Sequence, residues 1–243
     1  MKRNISSELT KMYSSPIWLI LGAVGLGLSA LTIFSEAPEI GADINGETVK
    51  GLATNWMTMH LMVAIIAALM VTSEHSNGSI QRTVLLNDGS RGRMLATKGI
   101  AAIVGTLPLA LVAAACAFSS KELFGIFWQV EGYINFSTWP QAAGVFAACM
   151  LSSVWGTAIG AIFRTNVVAT IFLLATTLGF DVIVQSGFPE VGKYLFSITL
   201  GSLYEVPGTT ENLSYLPGAL VALAWIALAS VISFLVLNRR EFR

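Results

Sequence analysis

The chain has 243 residues, of which 54% are apolar and only 12% charged, and its mean hydropathy is +0.70. Soluble domains keep about a quarter of their residues charged, so this composition excludes a globular protein with a water-covered surface. The formal net charge is zero, which excludes a strongly basic nucleic-acid-binding protein.

The N-terminal segment, Asn4 to Tyr13, has an amphipathic pattern. Ile5, Leu9 and Met12 recur at helical spacing, whereas Glu8 and Lys11 fall on other faces. This pattern predicts a short helix lying in the membrane interface, and a disordered tail is the alternative. The apolar run that follows is longer than a signal-peptide core, so we interpret it as a retained span.

Six apolar segments are each long enough to cross a bilayer, which takes about 17–25 helical residues. They are Ile17–Phe34, Trp56–Thr72, Gly99–Phe118, Gln141–Phe163, Val167–Val184 and Leu216–Leu237. Only helices satisfy their own backbone hydrogen bonds in hydrocarbon. The sequence therefore predicts an all-α polytopic membrane protein with six transmembrane helices and one domain over residues 1–243.

The positive charges predict the orientation. If both termini are cytoplasmic, eleven Lys and Arg residues lie inside, and only Lys50, Lys121 and Lys193 lie outside. Such a bias is what the positive-inside rule describes. Residues 73–98 then form the one sizeable cytoplasmic loop. Residues 185–213 lie outside, and their apolar run Tyr194–Leu203 predicts a re-entrant or interfacial segment between spans five and six.

Motifs for catalysis are missing from the sequence. The run Gly187–Lys193 has P-loop spacing, but Tyr194 stands where Ser or Thr is required and no strand precedes it. The two histidines, His60 and His75, fall on opposite sides of the membrane, and neither cysteine has metal-ligand spacing to another ligand. We therefore expect no enzyme activity, metal or cofactor in this chain.

The loop after span two carries the most specific pattern in the chain. Glu74 ends the span, Gly78–Ser79–Ile80 follows, and Ser90–Arg91 and then Lys98 precede span three. In this order and topology the chain resembles the type-2 ATP-binding-cassette (ABC) exporter permeases. Its Arg-rich end after span six is also similar to that family.

This resemblance implies that the loop couples the spans to a separate ATPase. A short helix would dock on the ATPase through Ile80 and Val84, Gly78 would permit the turn into that helix, and polar groups would fix its register. The alternative is an ordinary solvated loop. The coupling residues implied are Glu74, Gly78, Ser79, Ile80, Arg82, Thr83, Val84 and Arg91.

Within the spans, His60 and Asp181 lie at similar depths near the outer ends of spans two and five. An ionisable residue in a span is a functional candidate by default. We hypothesise that the two approach each other near an outer gate, within or between subunits; the alternative is that Asp181 simply reaches the interface. In span four, the small-residue pattern Ser152, Gly156 and Gly160 predicts close helix packing.

Together these features predict the membrane subunit of an ATP-driven exporter in a bacterial cytoplasmic membrane. Its partners would be cytoplasmic ABC ATPase subunits, which hold ATP and Mg, and a second permease, either the same chain or a close relative. The nearly uncharged spans favour a hydrophobic or amphiphilic substrate such as a peptide antibiotic, drug or lipid-like molecule. The rival interpretations are a secondary transporter, a membrane enzyme, which the missing catalytic motifs disfavour, and a non-transporting sensor or scaffold subunit.

Overall fold

A computed structural model describes residues 2–40, 56–76, 83–84, 90–128, 139–204 and 212–239. Every regular element within these ranges is helical. Several of the helices are long and apolar, so the prediction of an all-helical polytopic membrane protein is confirmed at that level.

The helices are numbered here in chain order. A π-helical segment, Ala175–Phe180, joins α6 to α7. The bounds are α1 Lys2–Ser14, α2 Ile17–Ile40, α3 Met57–Ser76, α4 Arg91–Trp128, α5 Trp139–Phe163, α6 Asn166–Leu174, α7 Asp181–Gly187, α8 Pro189–Gly192, α9 Phe196–Gly201 and α10 Tyr215–Arg239.

Five helical stretches in the described ranges are long and apolar enough to cross a membrane: those of α3, α4, α5, α6 through α7, and α10. The described parts of α1 and α2 meet at an angle of 67°, and together they would make a sixth stretch long enough to cross a membrane. The helices extend past the predicted spans because polar flanking residues continue the helical backbone. The clearest case is α4, which begins at Arg91 rather than at Gly99 and ends at Trp128.

Helix α3 lies at the centre of the bundle and is the most buried of the five stretches. It packs in parallel against α5, with Gly156 over the Ala64 carbonyl and Gly160 over the Ala68 carbonyl. A Cβ on Gly156 would lie only 2.0 Å from the Ala64 oxygen. Since lipid chains are as apolar as leucine side chains, such close backbone approach is what holds membrane helices together. Ser152, one turn earlier on α5, is also buried.

The fifth span is broken by the π segment before Asp181. The wider π turn adds a residue, which rotates the following helix by about 100°. Asp181 is 4% exposed, whereas its neighbours Phe180 and Val182 are 58% and 41% exposed. The break therefore leaves a carboxylate buried among residues that face outward.

The apolar run between α7 and α10 packs against the bundle through α9. Phe196 and Leu200 are buried, and the Phe196 ring stacks on Trp155 of α5 with centroids 4.3 Å apart. The Trp225 indole of α10 donates a hydrogen bond to the Tyr194 carbonyl at 2.8 Å. We refer to this end of the bundle as the α9 end. The α1 end is the opposite one, where α1, the last turn of α3, the first turns of α4 and the last turn of α10 meet.

The close packing at Gly156 predicts a large effect of one methyl group. Gly156→Ala should lower the free energy of unfolding by about 1–3 kcal/mol, because the added carbon overpacks the α3–α5 contact. The matched control is Gly27→Ala on α2, where a Cβ meets nothing within 4 Å. Thermal unfolding of both variants in detergent measures the difference, and equal melting temperatures would contradict the packing account.

Candidate functional site

Four charged side chains form a closed ring of ion pairs at the α1 end. The Lys11 ammonium lies 2.8 Å from Glu8 Oε1 and 2.6 Å from Glu74 Oε1. The Lys98 ammonium lies 3.0 Å from Glu8 Oε2 and 2.9 Å from Glu74 Oε2. Each ammonium thus bridges both carboxylates, and the ring has no net charge.

The ring joins three helices that are far apart in the sequence. Glu8 and Lys11 are one turn apart on α1, Glu74 lies in the last turn of α3, and Lys98 lies near the start of α4. The loop between α3 and α4 is connected to these helices through Thr83, whose hydroxyl donates a hydrogen bond to Glu74 Oε2 at 2.9 Å. We call these five residues the ionic ring.

Helix α1 is held against α4 by packing as well as by charge. Gly105 leaves room for Met12, whose sulfur would lie 2.5 Å from a Cβ at that position. The Tyr13 hydroxyl donates to the Gly105 carbonyl at 3.0 Å. Consequently Glu8, which the sequence pattern placed on the polar side of an interfacial helix, is only 4% exposed.

The two ammonium groups of the ring differ in their exposure to solvent. The Lys98 side chain is 1% exposed and the Lys11 side chain 53%. Burial lowers the pKa of Lys11, but hydrogen bonds and attraction from Glu74 and Glu8 outweigh burial and raise that pKa above its ordinary value. Lys98 is therefore the internal cation of the ring, and Lys11 is the cation at its solvent side.

The predicted coupling residues divide into two groups. Glu74, Thr83, Val84 and Arg91 are described, whereas Gly78, Ser79, Ile80 and Arg82 lie outside the described residues. Val84 is buried within the chain against Val71 and Met94, so it is not an exposed docking side chain in this conformation. A coupling role for Val84 stays a prediction, and it would act through internal packing.

Arg91 links the start of α4 to the end of α10. Its Nη1 donates to the carbonyls of Leu237 and of Asn238, the latter at 3.0 Å. The last carbonyls of a helix lack partners within the helix and attract cations. The guanidinium therefore caps α10 and ties the last span to the loop region.

His60 and Asp181 do not form an ion pair with each other in the part of the chain that is described. The carboxylate of Asp181 accepts a hydrogen bond from the Ser197 backbone N–H at 3.1 Å, which satisfies a free donor at the start of α9. His60 is 3% exposed and lies near the Tyr204 ring, with centroids 6.2 Å apart. Neither ring nitrogen of His60 has a hydrogen-bond partner. An approach between subunits stays a hypothesis.

The P-loop-like run has helical surroundings. Gly187 ends α7, Pro189–Gly192 forms α8, and Lys193 pairs with Glu190 one turn earlier. A phosphate-binding P-loop follows a strand and opens a helix with a free lysine. The local geometry at this run differs from that arrangement.

Sequence reasoning named Glu74, Lys98 and Thr83 in the loop pattern but missed Glu8 and Lys11 as their partners. A signal was present, since an acid and a base one turn apart precede the first span, while an acid ends span two and a base precedes span three. Charges at the boundary of hydrocarbon pair with one another. The equal number of acidic and basic residues at this boundary was therefore the available clue.

The difference in burial predicts unequal effects of removing the two cations. Lys98→Met should lower the free energy of unfolding by about 3–5 kcal/mol, because it leaves an uncompensated buried carboxylate. Lys11→Met should cost about 1 kcal/mol, since solvent screens the exposed pair. The control is Lys193→Met, whose partner Glu190 is 88% exposed. Unfolding in mixed detergent micelles measures all three, and a Lys98→Met effect as small as that of the control would contradict the ring's contribution.

The chain matches no protein-family model and no curated protein sequence. Its function is therefore inferred from its own residues, chiefly the ionic ring at the α1 end.

Proposed function

We propose that this chain is the permease subunit of an ATP-driven exporter of the type-2 ABC kind, with six spans and both termini in the cytoplasm. In this proposal α1 lies in the cytoplasmic interface, and α8 and α9 form the outer segment between spans five and six. Two permeases, identical or closely related, would pair in a bacterial cytoplasmic membrane. Two cytoplasmic ATPase subunits holding ATP and Mg would dock on the loops at the α1 end.

The distribution of cations supports this orientation. Lys11, Arg91, Lys98 and Arg164 all belong to the α1 end or to the connection between α5 and α6. Within the described helices the opposite end of the bundle has Lys193 and, near the end of α4, Lys121. Cytoplasmic segments carry the excess of Lys and Arg in membrane proteins.

The ionic ring is the observation that carries the proposal. An exporter driven from the cytoplasm needs a rigid connection between the docking loop and the helices that move. Thr83 of that loop bonds Glu74 of α3, and Glu74 pairs with Lys98 of α4 and Lys11 of α1. A displacement of the loop would therefore be transmitted to three helices at once, because Glu8, Glu74 and Lys98 are buried and separating them removes part of the compensation of their charges.

The low burial of the fifth and sixth spans supports pairing with a second permease. Only 22% of the α6 to α7 stretch and 28% of α10 is buried within the chain, against 72% of α3. One chain with six helices has too few walls to enclose a large path, so we place the transport path between two subunits. The apolar composition of these spans favours a hydrophobic or amphiphilic substrate.

A secondary transporter is the main alternative. Such a protein needs ionisable groups in the membrane that bind the coupling ion. His60 and Asp181 are the described candidates, but Asp181 already accepts the Ser197 backbone N–H. A sensor or scaffold subunit is the second alternative, and it would account for the ring without transport.

The proposal predicts a nucleotide-hydrolysing partner that binds the loop. The tagged chain, isolated in mild detergent from its native membrane, should retain a polypeptide with ATPase activity at equal stoichiometry. Ile80→Asp should reduce that retention about tenfold, because it places a charge on the predicted docking face. Glu190→Gln, an exposed change at the α9 end, is the control and should retain the partner fully.

Two results would contradict the proposal. One is an isolated complex that contains no ATPase, and the other is transport by the purified chain alone in proteoliposomes driven by an ion gradient. The second result would establish the secondary transporter instead. Loss of ATP-dependent export when the partner's catalytic residue is replaced would separate the exporter from a scaffold.

A further inference from the structure

A cavity of about 190 Å³ opens beside the ionic ring between α1, the start of α2, α3 and the start of α6. One part of its wall is polar and includes Lys11 and Glu74, and the rest is largely apolar. The apolar wall is formed by Met12, Trp18, Ile66, Leu69 and Met70. A polar end joined to an apolar wall suits a molecule that has both parts.

We propose that this cavity binds the head group and upper chain of an anionic amphiphile, one carrying a phosphate or carboxylate. This inference rests on the proposed function, in which the cavity is the place where an exported amphiphile enters from the inner leaflet. The binding itself requires only this chain. Cavities that enclose drug-sized molecules measure about 300–1,000 Å³, so this smaller one holds the head while the tail stays in lipid.

The hydrogen-bonding capacity of the site favours an anion. A lysine ammonium has three donors, and Lys11 uses two of them on Glu8 and Glu74. Its side chain is half exposed, so the third donor is available to an acceptor on a ligand. The indole Nε1 of Trp18 is a second buried donor without a partner.

The two carboxylates at the cavity do not reverse this preference. Glu8 and Glu74 each already accept from both ammonium groups of the ring. The side chain of Lys98, which lies behind the cavity wall, balances the second carboxylate, so the ring presents no net negative charge that would favour a cationic head. An anionic head displaces nothing. The buried Oδ1 of Asn166, an acceptor without a partner, suits a hydroxyl on the same head group.

The test uses the purified chain in phosphatidylcholine nanodiscs, without any ATPase. Hexadecyl phosphate carrying bromine on its chain should quench tryptophan fluorescence saturably, and Trp18→Phe should remove the saturable part. The matched brominated hexadecyltrimethylammonium should bind about tenfold more weakly, since it loses the bonds to Lys11. Equal or tighter binding of the cation would overturn the proposal.

Two pairs of variants locate the site. Lys11→Gln should weaken hexadecyl phosphate binding about tenfold, whereas Lys193→Gln at the α9 end should not. Leu69→Phe fills the cavity and should weaken binding similarly, whereas Leu220→Phe, on the exposed face of α10, should leave it unchanged. The Leu69 pair keeps the test decisive if Lys11→Gln fails to fold, and unchanged binding in Leu69→Phe would overturn the proposal.

Competition identifies the source of the ligand. Displacement by phosphatidylglycerol assigns the site to a membrane lipid, and displacement by single-chain phosphates alone assigns it to a soluble amphiphile. Displacement by inorganic phosphate at equal concentration would overturn the requirement for an apolar chain. If the amphiphile does not bind, the proposal of an ATPase partner still stands. If no ATPase is found, the proposal of an amphiphile site still stands, so the two proposals can be rejected separately.

Discussion

The buried pairing of Glu8 and Glu74 with Lys11 and Lys98 is the interaction on which the α1 end depends. Moving a charge out of water costs several kcal/mol, and attraction inside the protein offsets that cost only when the geometry is good and each group is fully paired. Here each carboxylate meets two ammonium groups at 2.6–3.0 Å. Because Lys98 is buried and its removal leaves the ring with a net negative charge, these contacts tie α1, α3, α4 and the loop at Thr83 together.

Close packing of helices, rather than ion pairing, holds the rest of the bundle together. Apolar side chains gain little by leaving lipid for protein, so helices associate where their backbones come close. The α3–α5 contact at Gly156 and Gly160 is of this kind, whereas at Gly105 of α4 the side chain of Met12 from α1 fills the space. A third close approach, Gly144 against the Leu203 carbonyl, seats the end of the α9 segment on α5. Glycines thus position the helices, and the ionic ring fixes their relation at the α1 end.

The sequence predicted those features that depend on local composition. The bounds of α3, α5 and α10 lie close to the predicted spans because hydrocarbon thickness fixes the length of an apolar helix. The packing face of Ser152, Gly156 and Gly160 followed from four-residue spacing.

Features that depend on contacts between distant segments were not predicted. The partners of Glu74 come from α1 and α4, and nothing in the local sequence of Glu8 marks it as buried. The π segment before Asp181 has no compositional signature, and the carboxylate's bond to Ser197 depends on how α9 folds back. Val84 was predicted to be on the apolar docking face of the coupling helix that the family resemblance implies, and its burial with Met94 depends on a contact with α4 that its local sequence does not reveal.

In the proposed orientation the α1 end, with its ionic ring, faces the cytoplasm. Accessibility of single cysteines in intact cells tests it directly, in a background where both native cysteines, Cys116 and Cys149, are replaced by alanine. Ser90→Cys reports the α1 end and Glu190→Cys the α9 end, and both positions are exposed. A membrane-impermeant maleimide should label Glu190→Cys in intact cells and Ser90→Cys only after permeabilisation. Labelling of Ser90→Cys from outside would invert the chain and contradict the account.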